Sequence, residues 1–309
     1  MRVAAIDIGT NTVLLLVAEV QSGELVAIEE RATITRLGQG VDKTRALAPE
    51  AVARTNACLD AYGEAIRALG VTRVGVVGTS AMRDAKGGEA VRDHVRRVMG
   101  VDARVISGDE EARLTFGGAV SGLGLDAGSV AVFDIGGGST EVVLGTIDKG
   151  GSAGAIAYAQ SFDVGSVRLT ERHVTADPPS AGEFAAIEAD VARAFAAIPE
   201  SVRTARAPIG IAGTVTTLAA VAMRLDPYDG ARVHGHVMTL ETLRGVVAHL
   251  AATPLEARRA LPGLEPKRAD VIVAGGLIAI AIADRLGARE IRISDRGVRW
   301  GLAAELAAR

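Results

Sequence analysis

Ile6-Asp7-Ile8-Gly9-Thr10-Asn11-Thr12 and Phe133-Asp134-Ile135-Gly136-Gly137-Gly138-Ser139-Thr140 are two versions of one phrase. Each leaves an apolar strand through an aspartate, enters a tight polar turn and runs out again. The aspartates stand 134 − 7 = 127 positions apart, so each half of the 309-residue chain carries one carboxylate and one turn rich in N–H and hydroxyl donors. Glycine lets backbone approach an anion closely, and successive N–H groups can cradle phosphate oxygens. An aspartate at a strand end is a hard oxygen ligand, suited to Mg²⁺ or Mn²⁺ bridging the same oxygens. Either turn alone also reads as an ordinary β-hairpin. The pair indicates two domains that clasp a metal-bound phosphate.

Composition narrows the remaining classes. A chain of 309 residues with 49% hydrophobic content can bury a large core, and its length favours two domains. The net charge is −3, and 30 of the 34 basic residues are arginine; no broad basic face advertises nucleic acid or an anionic membrane. Cys58 is the single cysteine, which excludes intramolecular disulfides and multi-cysteine zinc clusters and fits a reduced, cytoplasmic setting. The chain opens almost directly on strand, with no signal-peptide pattern. The most apolar run, residues 271–283, is too short to span a bilayer and reads as a buried helix.

The order of elements repeats as the motif does. Residues 2–8, 12–20 and 25–34 read as antiparallel strands. Pro49 then opens a helix with Val52, Leu59, Tyr62, Ile66 and Leu69 on its apolar face, closed by Gly70. A strand at 74–77, a charged helix at 86–99 and a strand at 103–106 follow. A similar β-β-β-α-β succession starts again after residue 128: strands at 129–134, 140–147 and 155–163, helices near 165–174 and 181–197, and a strand at 208–212. Ser121-Gly122-Leu123-Gly124 is the expected hinge, giving domains 1–124 and 125–309, with the last helix, about 297–309, packing back on the first.

Two further segments bear on chemistry. Gly210-Ile211-Ala212-Gly213-Thr214 joins a strand to a helix N-terminus, where free N–H groups and the positive dipole end can hold an anion, although such turns often need Gly and Thr for structure alone. Ser107-Gly108-Asp109-Glu110-Glu111 puts three acids in a helix's first turn, which the dipole alone explains. The same acids beside a domain boundary can also present a carboxylate that activates water.

The ordered runs Asp7 to Thr12, Gly78-Thr79-Ser80-Ala81-Met82-Arg83-Asp84-Ala85, Ile106 to Leu114, and Asp134 to Glu141 closely resemble the exopolyphosphatase/guanosine pentaphosphate phosphohydrolase family. The likeness continues through Gly213-Thr214 and Ser294-Asp295-Arg296-Gly297-Val298-Arg299-Trp300-Gly301, so it spans nearly the whole chain. It implies an α/β protein of the actin-like ATPase superfamily, built from two duplicated ribonuclease-H-like domains around a cleft. It implies hydrolysis of the terminal phosphate of inorganic polyphosphate or, alternatively, of the 5′ γ-phosphate of guanosine pentaphosphate, a stringent-response nucleotide. By motif position Glu111, Glu141 and Arg83 are the expected catalytic residues. Gly9, Thr10, Asn11, Thr12, Gly136, Gly137, Gly138, Ser139, Thr140, Gly213 and Thr214 are the expected phosphate grip. Asp134 and Glu141, with Asp7 as a further candidate, are the expected Mg²⁺ (or Mn²⁺) ligands. A homodimer is implied by the resemblance alone. Longer members carry an additional C-terminal helical domain, so preference for short polyphosphates is expected here. A non-catalytic guanosine polyphosphate sensor and a kinase of the same fold are the rival readings. The acidic Ser107–Leu114 motif favours hydrolysis over the kinase.

Overall fold

The structure, a computed structural model, describes residues 1–204 and 206–308. The chain divides into two compact units: Met1–Gly118 together with the residues from Val298 on, and Ala119–Gly297. The first division falls in the last turn of a helix, a few residues before the Ser121–Gly124 loop.

In the first unit β1 (Arg2–Ile8), β2 (Thr12–Gln21) and β3 (Glu24–Ile34) form an antiparallel meander. Helices α1 (Val41–Thr44) and α2 (Pro49–Ala68) lead to β4 (Arg73–Gly78); α3 (Ser80–Asp84) and α4 (Gly88–Met99) lead to β5 (Ala103–Val105), and α5 (Gly108–Val120) follows. The sheet order is β3-β2-β1-β4-β5, with β4 and β5 parallel to β1. Side chains alternate across it as the pleat requires. Ala4, Ile6 and Ile8 join Leu59, Tyr62, Val91 and Val95 of α2 and α4 in one core layer. Val3, Ala5, Leu16 and Val77 pack on the other face with Leu114 of α5 and with Val298, Trp300, Leu302 and Leu306. Asp7 shares the parity of Val3 and Ala5 and so belongs to the α5 face.

The second unit repeats the plan. Its strands are β6 (Gly128–Ile135), β7 (Thr140–Ile147), β8 (Ala153–Phe162) and, after α6 (Ser166–His173) and α7 (Ala181–Phe195), β9 (Ile209–Ile211). Then come α8 (Ala212–Met223), α9 (Gly230–Val233), β10 (Val237–Thr239), α10 (Leu240–Ala252), α11 (Leu255–Arg258), α12 (Ile272–Arg285) and β11 (Glu290–Ile293). The order is β10-β11-β9-β6-β7-β8. Strands β8-β7-β6-β9-β11 therefore reproduce β3-β2-β1-β4-β5, directions included, and β10 adds an edge. Two such ribonuclease-H-like sheets in one chain are the actin-like ATPase arrangement. The last helix, α13 (Val298–Ala308), packs on β1, β2 and β4 of the first unit.

Local signals account for most elements. Pro49 starts α2, and Ser180 with Glu183 forms a reciprocal capping box at α7. The N–H groups of Ser180, Thr175 and Ala176 and the Thr175 hydroxyl hold the Glu183 carboxyl at about 2, below the usual range. The apolar run at 271–283 is α12, buried through Ile272, Ile278, Ala279 and Ile282. Among the described residues no helix is long and apolar enough to cross a membrane. Strands β10 and β11 and helix α3 are three to five residues long and carry too little periodicity to be read from sequence.

Candidate functional site

In the first unit the Asp7 turn is closed on itself and tied down from outside. Gly9 N–H donates to the Thr12 carbonyl at 3.1 Å, and a Cβ on Gly9 would stand 2.9 Å from that oxygen, so only glycine fits without a shift. The Thr10 carbonyl accepts from the Gly38 N–H at 2.8 Å, and the Asn11 carbonyl from the N–H groups of Thr35 and Arg36, both at 3.0 Å. In a planar trans peptide the N–H points opposite to the preceding carbonyl. The N–H groups of Asn11 and Thr12 are therefore directed away from the 35–38 segment. Asp7, Thr10 and Asn11 are buried, and the Asn11 Nδ2 has no hydrogen-bond partner. Asp7 stands opposite Leu14 on β2, and Leu14 opposite Ala32 on β3.

Helix α5 separates its three acids physically. Ser107 Oγ accepts from the Glu110 N–H at 3.2 Å, starting the helix. Glu110 pairs with Arg104 at 2.7 Å on a half-exposed surface. Glu111 is 6% exposed, and its Oε2 accepts from Arg83 Nη1 at 2.9 Å. Arg83 sits in the short α3, also donates to the Ile106 carbonyl at 3.2 Å and keeps Asp84 at 3.7 Å. Structure thus brings Arg83 and Glu111 together from positions 28 apart in sequence. Glu110 and Asp109 are left as the solvated acids of the first turn.

In the second unit the same turn carries a different row of side chains. Gly136 N–H donates to the Ser139 carbonyl at 3.0 Å, and a Cβ on Gly136 would lie 3.2 Å from it. Asp134 stands directly opposite Glu141 on β7, and Glu141 opposite Ser161 on β8. Residues so paired have Cβ atoms about 5 Å apart on one face. Phe133, Ile135 and Val142 point into the core from the opposite face. Glu141 is 2% exposed, and its Oε1 accepts from Ser161 Oγ at 2.6 Å. Thr140 Oγ1 donates to the Val164 carbonyl at 2.6 Å, which turns its hydroxyl into the β8–α6 connection.

The third turn leads straight into helix α8. Ala212 is held at φ +66°, and the space a Gly213 Cβ would need is filled by the Arg268 guanidinium, 2.2 Å from its nearest nitrogen. Burial pulls the Arg268 pKa below its ordinary value, against the charges of Glu265, Tyr228 and Asp295. A cation against a helix N-terminus adds to the positive end of the helix dipole, a combination that favours anionic groups nearby. Thr214 is buried against Gly275, where a Cβ would meet its side chain.

The donor chemistry around Asp134 and Glu141 suits one metal class. Two hard carboxylates in register match Mg²⁺ or Mn²⁺, which bind through one or two protein carboxylates plus water and phosphate oxygens. Among the described residues no group of three or more His, Cys, Asp and Glu is gathered as a cage. The His234 of His234-Gly235-His236 contacts Ser294 and the Asp295 backbone.

Sequence reading missed Ser161, Arg168 and Arg268. Each is a single polar residue without a local motif, and each meets its partner across 20 or more positions. Helix α6 was legible, but nothing in Gly165-Ser166-Val167-Arg168 says which carbonyls its N-terminus serves.

Comparison with known proteins follows the same outline. The model of the Ppx/GppA phosphatase family matches residues 16–309. Exopolyphosphatase 2 of Mycobacterium tuberculosis is 38% identical, over 99% of this chain and 98% of that protein. The crystal structure of the Aquifex aeolicus Ppx/GppA family member superposes with a TM-score of 0.82 at 32% identity, covering 100% of this chain and 98% of that one. The guanosine-5′-triphosphate,3′-diphosphate pyrophosphatase of Vibrio atlanticus is 31% identical over 98% of this chain and 59% of that protein.

Proposed function

The chain belongs to the Ppx/GppA phosphatase family, and from that premise we propose that it is an exopolyphosphatase, hydrolysing the terminal phosphoanhydride bond of inorganic polyphosphate. The observation that carries the reading is the Asp134–Glu141 pair set in register beside a glycine turn whose N–H groups face away from its tethered carbonyls. Phosphoryl transfer needs little beyond positioning and charge stabilisation, and these residues offer both.

Roles follow from geometry in each unit. Asp134 and Glu141 would hold Mg²⁺; when bound, the ion neutralises charge on phosphate oxygens. In the second unit the N–H groups of Gly137, Gly138 and Ser139 would donate to phosphate, and the α8 N-terminus at Gly213 is a further anion site; in the first unit the Asn11 turn offers a cradle of the same kind. Glu111, buried and aligned by Arg83, accepts the proton of the attacking water, and the Arg83 guanidinium is suited to a planar phosphate edge. Glu111→Gln is expected to keep polyphosphate binding while turnover falls by on the order of 10² or more. Phosphate release from short polyphosphate, long polyphosphate and guanosine pentaphosphate with Mg²⁺ tests the reading. Near-wild-type turnover of Glu111→Gln removes that residue from the role.

The Vibrio relative supports a second reading, 5′-phosphohydrolysis of guanosine pentaphosphate, and faster release from the nucleotide than from polyphosphate would select it. The same proposal takes the enzyme to be a cytoplasmic homodimer. Its one cysteine is buried and unpaired, as a reducing compartment allows, and light scattering on the purified chain reads the assembly state.

A further inference from the structure

The end of β8 and the start of α6, Ser161 to Arg168, touch the Asp134 turn at nearly every joint. Ser161 Oγ holds one oxygen of Glu141. The Gly136 carbonyl accepts from the Ser166 N–H at 3.0 Å and from Ser166 Oγ at 3.2 Å. The Gly137 carbonyl accepts from the N–H groups of Val167 and Arg168, at 2.9 and 3.0 Å. The Gly138 carbonyl accepts from Arg168 Nε at 2.7 Å. A Cβ on Gly165 would stand 2.4 Å from the Gly137 oxygen, so the segment lies hard against the turn.

We propose that Ser161 and Arg168 are positioning residues for the phosphatase site, Ser161 aligning the Glu141 carboxylate and Arg168 fixing and polarising the peptide donors of the glycine turn. Three consecutive carbonyls are pinned on one side, which turns the three following N–H groups to the other. Arg168 is 7% exposed, and burying a guanidinium is costly unless its N–H groups are met. Its placement under backbone carbonyls puts a positive charge, with the exposed Asp163 carboxylate 3.7 Å away, on the side of the turn opposite its donors. A chain of the form guanidinium N–H, carbonyl, peptide N–H, phosphate is cooperative, because each bond polarises the next. In the first unit the Thr10 carbonyl accepts from the Gly38 N–H and the Asn11 carbonyl from the N–H groups of Thr35 and Arg36.

The inference rests on the proposed function, and two separate affinities test it on the full-length protein. Ser161→Ala is expected to weaken Mn²⁺ binding, read by the free-ion electron paramagnetic resonance signal without substrate, by about tenfold or more, as loss of a partner behind a metal ligand does. Its KM for short polyphosphate at saturating Mg²⁺ stays near wild type. Arg168→Met is expected to raise that KM about tenfold while Mn²⁺ binding holds. Ser161→Thr and Arg168→Lys, which keep a donor, recover most of each loss. Melting temperatures accompany each measurement. If both variants shift both affinities together, in step with lost stability, or shift neither, the proposal is overturned. Failure of the wild type to release phosphate from polyphosphate or guanosine pentaphosphate sinks the functional reading instead, and the Mn²⁺ titrations then decide the role of Ser161 by themselves.

Discussion

The turns after β1 and β6 share a backbone and differ in what stands beside it. Both close with an N–H to carbonyl bond over three residues, at 3.1 Å in one and 3.0 Å in the other, and both have their carbonyls tied by a later segment. Across the adjoining strands, however, the first unit lines up Asp7, Leu14 and Ala32 where the second lines up Asp134, Glu141 and Ser161. One fold unit, used twice, yields a donor turn beside a strand row with one carboxylate in the first case and with two in the second. The difference separates the two roles proposed above: the turn, common to both units, is the proposed phosphate grip, and the strand beside it, which differs, supplies the proposed cation ligands.

Glu141→Leu erases that difference and is expected to have the largest effect. Phosphate release should fall by on the order of 10² or more, and Mn²⁺ binding should weaken to the level a single carboxylate supports. Retained Mn²⁺ affinity would show that the strand pair is not the cation site. Asn11→Ala probes the cradle of the first unit. Its buried Nδ2 meets no partner, so truncation should leave unfolding free energy unchanged or raise it by up to about 1 kcal/mol, while KM rises. A clear loss of stability at constant KM would make Asn11 structural. The smallest effect separates the turns themselves: Gly9→Ala should cost more than Gly136→Ala, both within about 1–3 kcal/mol, because the added carbon meets the turn oxygen at 2.9 Å in one and 3.2 Å in the other. Urea unfolding with equal slopes checks the order, and a reversed order would break the assumed equivalence of the two backbones.

Much of this was legible beforehand, and for an identifiable reason. The repeated Asp-x-Gly turns, the three-strand meanders and the α2 stripe are local patterns, and the structure has them where the sequence suggests. What failed to show was the meeting of distant parts. Nothing near Arg83 says that its guanidinium will find Glu111 rather than a surface acid, and Glu110 and Glu111 are chemically alike until burial separates them. Strand β11 is short and lies 290 − 211 = 79 positions beyond the end of its neighbour β9, so only assembled sheet order reveals it as the counterpart of β5.

Helix α13 has a consequence for biosynthesis. Val3, Ala5, Leu16, Ala18 and Val77 face a layer completed by Val298, Trp300, Leu302, Ala303 and Leu306. A nascent chain that has emerged only as far as Gly118 therefore holds one apolar side of its sheet covered by Ile106 and Leu114 of the α5 segment but without α13, through the whole translation of the inserted second unit. Exposed apolar sheet of this kind is what holding chaperones recognise and what drives aggregation of partly made chains. Synthesis order and folding order are consequently opposed in this protein: the unit begun first is the one finished last.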